Sequence, residues 1–453
     1  MARPLELPYD AATRCAERYA WFEAMRPMGW PVFLDSGDPA RSGERFDILA
    51  AAPRAILSSR EAPFADTRRL LHGERAGASD DTWPVSGAAI GYFGYEVARE
   101  AAGLPRGKPG TTPFMPEVAI GLYPWTVVID HRERRAALTS FESFGEAAAA
   151  EVRASLLAAP RREAGAFEIR GPIASGLERA AYLPRAHRIL DYIAAGDCYQ
   201  VNLTREFRAP YDGDPWTFYR YLHDTNPAPM GAYLEYPFGA VLSSSPERLL
   251  VVEGREALTR PIKGTRRRRA DPVEDAAAAQ ALRESAKDRA ENVMIVDLLR
   301  NDLGQVCETG SVVVRGLCEL ESFATVHHLV STVTGRLPEG RDALDALQAC
   351  FPGGSITGAP KRRAMEIIDE LEPHRREVYC GAIGYAAPGG RMDMNIPIRT
   401  TLCARNEMRF YAGGGIVADS TPEGEFEETE TKIAAIRRAA AAFTPRRVLG
   451  AAA

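Results

Sequence analysis

The amino-acid sequence predicts an α+β fold with antiparallel sheets. Three observations carry this. Strand patterns are frequent, short turns join them, and helix patterns come in blocks rather than alternating one for one with strands. With 453 residues, 45% of them hydrophobic, the chain can bury a large core.

Taken in order, Trp30–Gly37, Phe46–Ala50 and Gly87–Phe93 read as extended segments punctuated by glycine. Leu122–Ile129 and Arg135–Phe141 are expected to form a hairpin, and the alanine-rich Gly145–Ala159 a helix. Around Arg170-Gly171-Pro172 the chain loosens, which places a boundary between residues 1–170 and 171–453. A helix follows over Glu178–Ala195, then an alternating strand over Tyr199–Arg208 and a strand pair at Ala232–Tyr236 and Ala240–Ser243. A long helical pattern, with room for a break, runs from Val273 to Leu303. Strands are expected at Ser311–Val314 and Val330–Arg336, and a helix at Pro360–Leu371. The last strands are Gly381–Ala386, Arg391–Cys403 and Met408–Tyr411, followed by a glycine turn and a final helix.

Composition excludes several classes. The net charge of -5 creates no field that draws nucleic acid or anionic lipid. The run Arg266–Arg269 has no interleaved aromatics and reads as a solvated loop. No apolar run reaches the length of a membrane span, and Met1-Ala2-Arg3-Pro4 lacks a signal core. Seven scattered cysteines without a C-x-x-C pair read as reduced thiols of a cytoplasmic protein.

Candidate chemistry lies in several places. Glu284, Asp288 and Glu291, spaced four and three, would share one helix face. Glu425, Glu428 and Lys432, spaced three and four, lie in a helix opened by Asp419-Ser420-Thr421-Pro422-Glu423, a capping string with proline in the first turn. Two such clusters can share one Mg²⁺, which prefers few carboxylates, several waters and a substrate oxygen. Phe351–Lys361 runs a glycine-rich segment into a helix N-terminus, and Gly413-Gly414-Gly415 leaves bare backbone beside a strand. His327 and His328 should point to opposite faces of a strand, and Arg399 suits a planar carboxylate. Taken singly, each is more often a solvated helix face or a turn.

Their order along the chain resembles the chorismate-utilising enzymes, which include the large subunits of anthranilate synthase and aminodeoxychorismate synthase. The matching strings are Ser244-Ser245-Pro246-Glu247, Pro261-Ile262-Lys263-Gly264-Thr265, Ala290-Glu291-Asn292 through Asp302, and His328-Leu329-Val330-Ser331. Phe351–Lys361, Gly381–Tyr385, Ile398-Arg399-Thr400 and Gly413–Ser420 continue the match, which ends with Glu425, Glu428 and Lys432. The resemblance implies two packed, mainly antiparallel sheets, a β-sandwich-like core with helices outside. It implies Mg²⁺ held by Glu291 and Glu428, supported by Asp288 and Glu425, with chorismate as substrate. Tyr385, Arg399 and Gly415 would receive the enolpyruvyl carboxylate, with Lys432, Gly413 and Gly414 close by. Ser355 and His328 would line the ring pocket, and Glu247 would protonate the departing C4 hydroxyl.

Lys263 separates the subfamilies. Anthranilate-forming members carry alanine here, and members that aminate C4 carry lysine. A lysine adduct at C2 blocks that carbon, so ammonia must enter at C4 and expel the amine. The expected product is 4-amino-4-deoxychorismate, on the way to p-aminobenzoate and folate; the alternatives are an anthranilate synthase or an isochorismate- or salicylate-forming relative. Leu34-Asp35-Ser36 departs from the Leu-Leu-Glu-Ser string of tryptophan-regulated members. None of the cysteines sits in a Gly-x-Cys-x-Gly elbow, so ammonia is expected from solution or from a separate glutamine amidotransferase subunit, in a heterodimer. No lyase segment is recognisable, so pyruvate elimination should fall to another enzyme. No nucleic-acid or membrane partner is expected.

Overall fold

The computed structural model describes residues 3–9, 14–38, 44–58, 61–77, 83–105, 108–160, 165–322 and 326–445, with backbone only for 14–17. Met1, Ala2 and the side chain of Cys15 therefore lie outside the description. Two sheets, of thirteen and ten strands, carry the described chain, and their pairings are antiparallel. The largest core fills the space between them, where Val32, Ile48, Leu234 and Val241 of one sheet meet Ile90, Leu250, Ile383 and Met394 of the other.

Helices cover the outside. Arg14–Met25, Glu146–Ala158, Pro215–Thr225 and Pro422–Ala442 bury apolar residues against the outer face of the larger sheet. Arg179–Ala194 and Lys361–Leu371 pack around Val201, Leu203 and Ile416 at the end of the same sheet. This is the sandwich of antiparallel sheets with external helices that the motif resemblance implied. Among the described residues no helix is long and apolar enough to cross a membrane.

Several elements differ from the sequence reading for local physical reasons. Leu122–Ile129 is not one strand: Pro124 has no amide donor and separates Val118–Tyr123, in the smaller sheet, from Trp125–Asp130, in the larger. The hairpin partner of Arg135–Ser140 is therefore Trp125–Asp130 alone. Arg391–Cys403 likewise divides into Met392–Asn395 and Thr400–Ala404, with Pro397 in the loop between. The long helix breaks at Ser285, whose hydroxyl caps Ala286–Gly304 by accepting from the Asp288 amide. Glu284 therefore ends the preceding helix and does not share a face with Asp288 and Glu291, which corrects the three-carboxylate reading. The arginine run extends the strand Ile262–Arg267 and is exposed, with Arg266 paired to Asp288 and Arg268 to Asp275.

Both sheets run across residue 170. Ala88–Phe93 pairs with Ala382–Ala386, and Val32–Leu34 with Ala232–Leu234. A buried polar cluster also spans it: Arg18 pairs with Asp47 at 2.9 Å, and His223 with Asp35 at 2.7 Å. Asp35 stands where the regulatory string has glutamate. It lies inside this cluster, where Tyr219 also donates to it at 2.8 Å.

Candidate active site

The strand carrying Lys263 bulges between Lys263 and Thr265 where it pairs with Val326–Arg336. Gly264 makes the bulge possible, since its φ is +75°, a conformation that costs an L-residue strain. A Cβ there would also press on Leu282 and Asp288 of the two helices behind. Lys263 is thereby turned into a cavity of about 180 Å³.

Glu247, Ser355, Arg399, Gly413, Gly415, Lys432, Glu291, Glu425 and Glu428 line the same cavity. They come from loops, from both sheets, and from the helices Ala286–Gly304 and Pro422–Ala442. Of the residues singled out from sequence, these are brought together with Lys263. A larger and more open depression of about 490 Å³, beside Ile56 and Leu70, contains none of them.

Glu247 accepts a hydrogen bond from Ser355 Oγ at 2.7 Å. Burial pushes its carboxyl above the usual range, against that bond and the charges of Lys263 and Lys432. A carboxyl that holds its proton in this way is suited to donate it. Arg399 leaves the bridge between two strands with φ +52°. It keeps accessible surface because it reaches into the cavity, while the surrounding protein still lowers its pKa. No neighbouring acid among the described residues offsets that burial, so Arg399 offers its fork of donors to an incoming anion.

Glu291, Glu425 and Glu428 give the same cavity an acidic wall. Burial raises Glu291, with repulsion from Asp288 and Glu428 adding to the effect and Lys263 and Lys287 opposing it. Burial and the charge of Glu428 raise Glu425, whose Oε1 accepts from Ser420 at 2.6 Å. Its Oε2 is buried without a protein partner. Burial also works to raise Glu428, but Lys432, 2.6 Å away, together with Lys263 and Lys287 outweighs it and holds the carboxyl below its usual range. Among the described residues no three His, Cys, Asp or Glu side chains converge tightly enough to cage a metal. Crowded carboxylates and an orphaned Glu425 oxygen nonetheless fit a cation that takes one or two protein oxygens and keeps water and substrate as its other ligands.

Lys432 Nζ also donates to the Gly413 carbonyl at 2.7 Å, which ties the last helix to the glycine strand. The glycines serve close packing, since Cβ atoms at 413 and 415 would stand 2.6 Å from Asn202 Oδ1 and 2.9 Å from Gln200 Cδ. One at 414 would collide with Glu425.

Four site residues that the resemblance implied stand apart from the cavity lining, and Gly414, packed against Glu425, is one of them. Asp288 is held by Arg266 at 3.0 Å. His328 bonds Thr265 Oγ1 through Nδ1 at 2.9 Å and so backs the Lys263 bulge, and burial lowers its pKa. Tyr385 is buried among Asp393, Arg391 and Arg248, not at the cavity. Tyr379 lines the cavity instead, stacked on Tyr411 at 5.3 Å. Sequence reasoning missed Tyr379 because it lies in a turn, next to Cys380 at φ +66°, outside any alternating pattern. Asn202 and Lys287 also line the cavity, and both were missed. Lys287 stands one helical turn before Glu291, a spacing that offers a signal for it.

The family described as chorismate binding enzyme matches residues 30–438. The chain is 43% identical over 431 residues to aminodeoxychorismate synthase component 1 of Klebsiella aerogenes, covering 91% of this chain and 94% of the relative. It is 44% identical over 382 residues to anthranilate synthase component 1 of Streptomyces coelicolor, covering 79% and 74%. Among solved structures it is similar to anthranilate synthase component I of Streptococcus pneumoniae, with a TM-score of 0.77, 31% identity, and 86% and 91% of the two chains covered. The menaquinone-specific isochorismate synthase of Escherichia coli shares the fold alone, at a TM-score of 0.73 and 19% identity over 97% and 94% of the chains.

Proposed function

Because the chain belongs to the chorismate binding enzyme family, we propose that its cavity takes chorismate and aminates it at C4, yielding 4-amino-4-deoxychorismate for p-aminobenzoate and folate synthesis. The relatives from Klebsiella, Salmonella and Escherichia named aminodeoxychorismate synthase component 1 support this reading over most of their length. Identity alone leaves room for anthranilate formation, given the Streptomyces relative. The observation that favours C4 is Lys263, an amine lining the cavity together with the carboxyl of Glu247.

The chemistry follows from those two groups. Hydroxide is a poor leaving group, so Glu247 gives its proton to the C4 hydroxyl, which leaves as water. The nitrogen lone pair of Lys263 adds at C2, both ring double bonds shift, and the proton the nitrogen then sheds restores the Glu247 carboxyl. Ammonia then adds at C4, the double bonds shift back, and the C2–N bond breaks as the new C4 ammonium passes one proton to the departing lysine nitrogen, which returns the amine. The net change is chorismate plus ammonia to aminodeoxychorismate plus water. Arg399 and Tyr379 are suited to the enolpyruvyl carboxylate, and Ser355 to holding Glu247 in place.

Glu291 and Glu428 would hold Mg²⁺, with Glu425 alongside and Asp288 behind. Bound there, the ion supplies positive charge that neutralises the acidic wall and draws the ring carboxylate of chorismate to it. Lys287 and Lys432 partly neutralise the same wall through Glu291 at 4.0 Å and Glu428 at 2.6 Å.

The relatives' designation as component 1 supports a second component, which we propose to be a glutamine amidotransferase supplying ammonia. The described free cysteines accord with a cytoplasmic site of action. The reading is tested by incubating the purified chain with chorismate, Mg²⁺ and ammonium at alkaline pH, then identifying the product by chromatography with and without added lyase. Aminodeoxychorismate is expected; anthranilate as the sole product would overturn the choice of C4.

A further inference from the structure

Behind the cavity wall lies a buried ion pair that the proposed reaction does not use. Arg376 is 1% exposed. Its Nη1 donates to the Ile356 carbonyl at 2.8 Å, and its Nη2 to the Asn202 carbonyl at 2.9 Å. The same guanidinium meets the Glu372 carboxylate through Nε at 3.0 Å and Nη2 at 2.7 Å. Glu372 in turn accepts the Thr204 amide at 2.8 Å, and the Arg376 amide donates to Glu96 at 2.9 Å.

Asn202 belongs to the long strand Gln200–Gly213, and Ile356 to the short turn Gly354–Ile356 that carries Ser355. Both residues line the cavity. We propose that Arg376 is a positioning residue for the proton donor: by gripping the Ile356 and Asn202 carbonyls together, it holds the Ser355 hydroxyl against Glu247. This rests on the reading of Glu247 as the acid that releases the C4 hydroxyl.

The geometry asks for arginine. One planar fork reaches a carboxylate and two carbonyls from separate segments, which a point-charge ammonium cannot do. A buried ion pair is weak evidence for stability, because desolvation offsets much of its attraction. Donors aimed at two backbone segments instead fix where those segments lie relative to each other. The effect reaches the chemistry through a single bond, Ser355 Oγ to Glu247 Oε1 at 2.7 Å. That bond favours the ionised carboxylate, so its loss lets burial raise Glu247 further.

The test is a double-mutant cycle on the full chain, with kcat and its pH profile measured at saturating chorismate, Mg²⁺ and ammonium. S355A is expected to lower kcat by about tenfold and to move the alkaline limb to higher pH. R376K should lower kcat by a similar factor and move the limb the same way, yet cost less than about twofold when added to S355A. Effects that multiply, with the limb unmoved by R376K, would leave Arg376 as scaffolding only and overturn the inference. Should R376K fail to fold, E372Q replaces it, since it loosens the anchor of the guanidinium and leaves the arginine in place. A loss non-additive with S355A is expected there; an additive loss, or none, overturns the inference. A wild-type chain that does not aminate C4 would sink the functional reading instead.

Discussion

Gly264→Ala puts the placement of Lys263 to a quantitative test. The glycine has φ +75°, and an added Cβ would stand 2.8 Å from Leu282 Cδ1 and 3.0 Å from both Cβ and Cγ of Asp288. Left-handed backbone costs an L-residue about 1–2 kcal/mol. The Leu282 methyl ends a flexible side chain and can yield. Asp288 Cβ is one bond from the helix backbone, so relief there requires the helix or the strand to move. Overpacking of this kind costs about 1–3 kcal/mol, which gives a total of about 2–5 kcal/mol. The displacement falls between Lys263, the preceding residue, and Glu291, one turn along the helix from Asp288. Misplacing reacting groups by about 1 Å costs about a hundredfold, so a shift of a few tenths should lower kcat by about tenfold. Urea unfolding gives the first quantity, and product formation from chorismate, under conditions where the variant stays folded, gives the second. A variant with the wild-type midpoint and turnover would refute the claim that Gly264 sets the lysine's position. One destabilised by several kcal/mol with unchanged kcat would mean that the strain is relieved away from Lys263.

Glu247→Gln should lower kcat by about 10²–10⁴-fold, as expected for loss of a general acid. Since the acid must be protonated, wild-type kcat should fall as pH rises through the raised pKa of Glu247, and the glutamine variant should lose that limb; a retained limb assigns it to another group. Lys263→Ala should impair amination at C4 and permit some addition at C2, read by chromatography of products; an unchanged rate and product would contradict a nucleophilic role. Glu291→Ala or Glu428→Ala should abolish turnover and make chorismate binding, measured by calorimetry, independent of Mg²⁺, whereas full activity in either rules out the proposed metal site. Tyr379→Phe should raise KM for chorismate by about tenfold, as for a lost hydrogen bond to a charged group, while Tyr385→Phe leaves it within about twofold; the reverse pattern returns the carboxylate role to Tyr385.

What was legible in the sequence is what local pattern encodes. Phe46–Ala50, a short and mostly apolar run with a single polar residue, forms the strand expected of it. The final helix begins where its capping string predicts, with Thr421 accepting the Gly424 amide and Pro422 in the first turn. Motif order brought Glu247, Lys263, Ser355, Arg399, Glu291, Glu425 and Glu428 into one reading, and all of them line the cavity. What escaped depends on partners far along the chain. Pro124 marks a change of sheet, but nothing local says that the two sides belong to different layers. Tyr379 and Tyr385 belong to the same matching region, and only the turn before the strand decides which ring meets the cavity. Arg376 is one arginine among many until Ile356 and Asn202 are seen to be its acceptors.

The pairing of Ala88–Phe93 with Ala382–Ala386 has a consequence for biogenesis. During synthesis Phe93 emerges about 290 residues before its neighbour Ala382, which at about 5–20 residues per second leaves that edge open for about 15–60 s. Val118–Tyr123 can shield one side of the strand meanwhile. The other edge, with its unpaired backbone groups on a buried and mostly apolar strand, must be kept from foreign strands until the C-terminal half arrives. A nascent chain stalled near residue 170 should therefore be a holdase client rather than a folded domain, and ribosome pausing late in the message should cost yield more than pausing early.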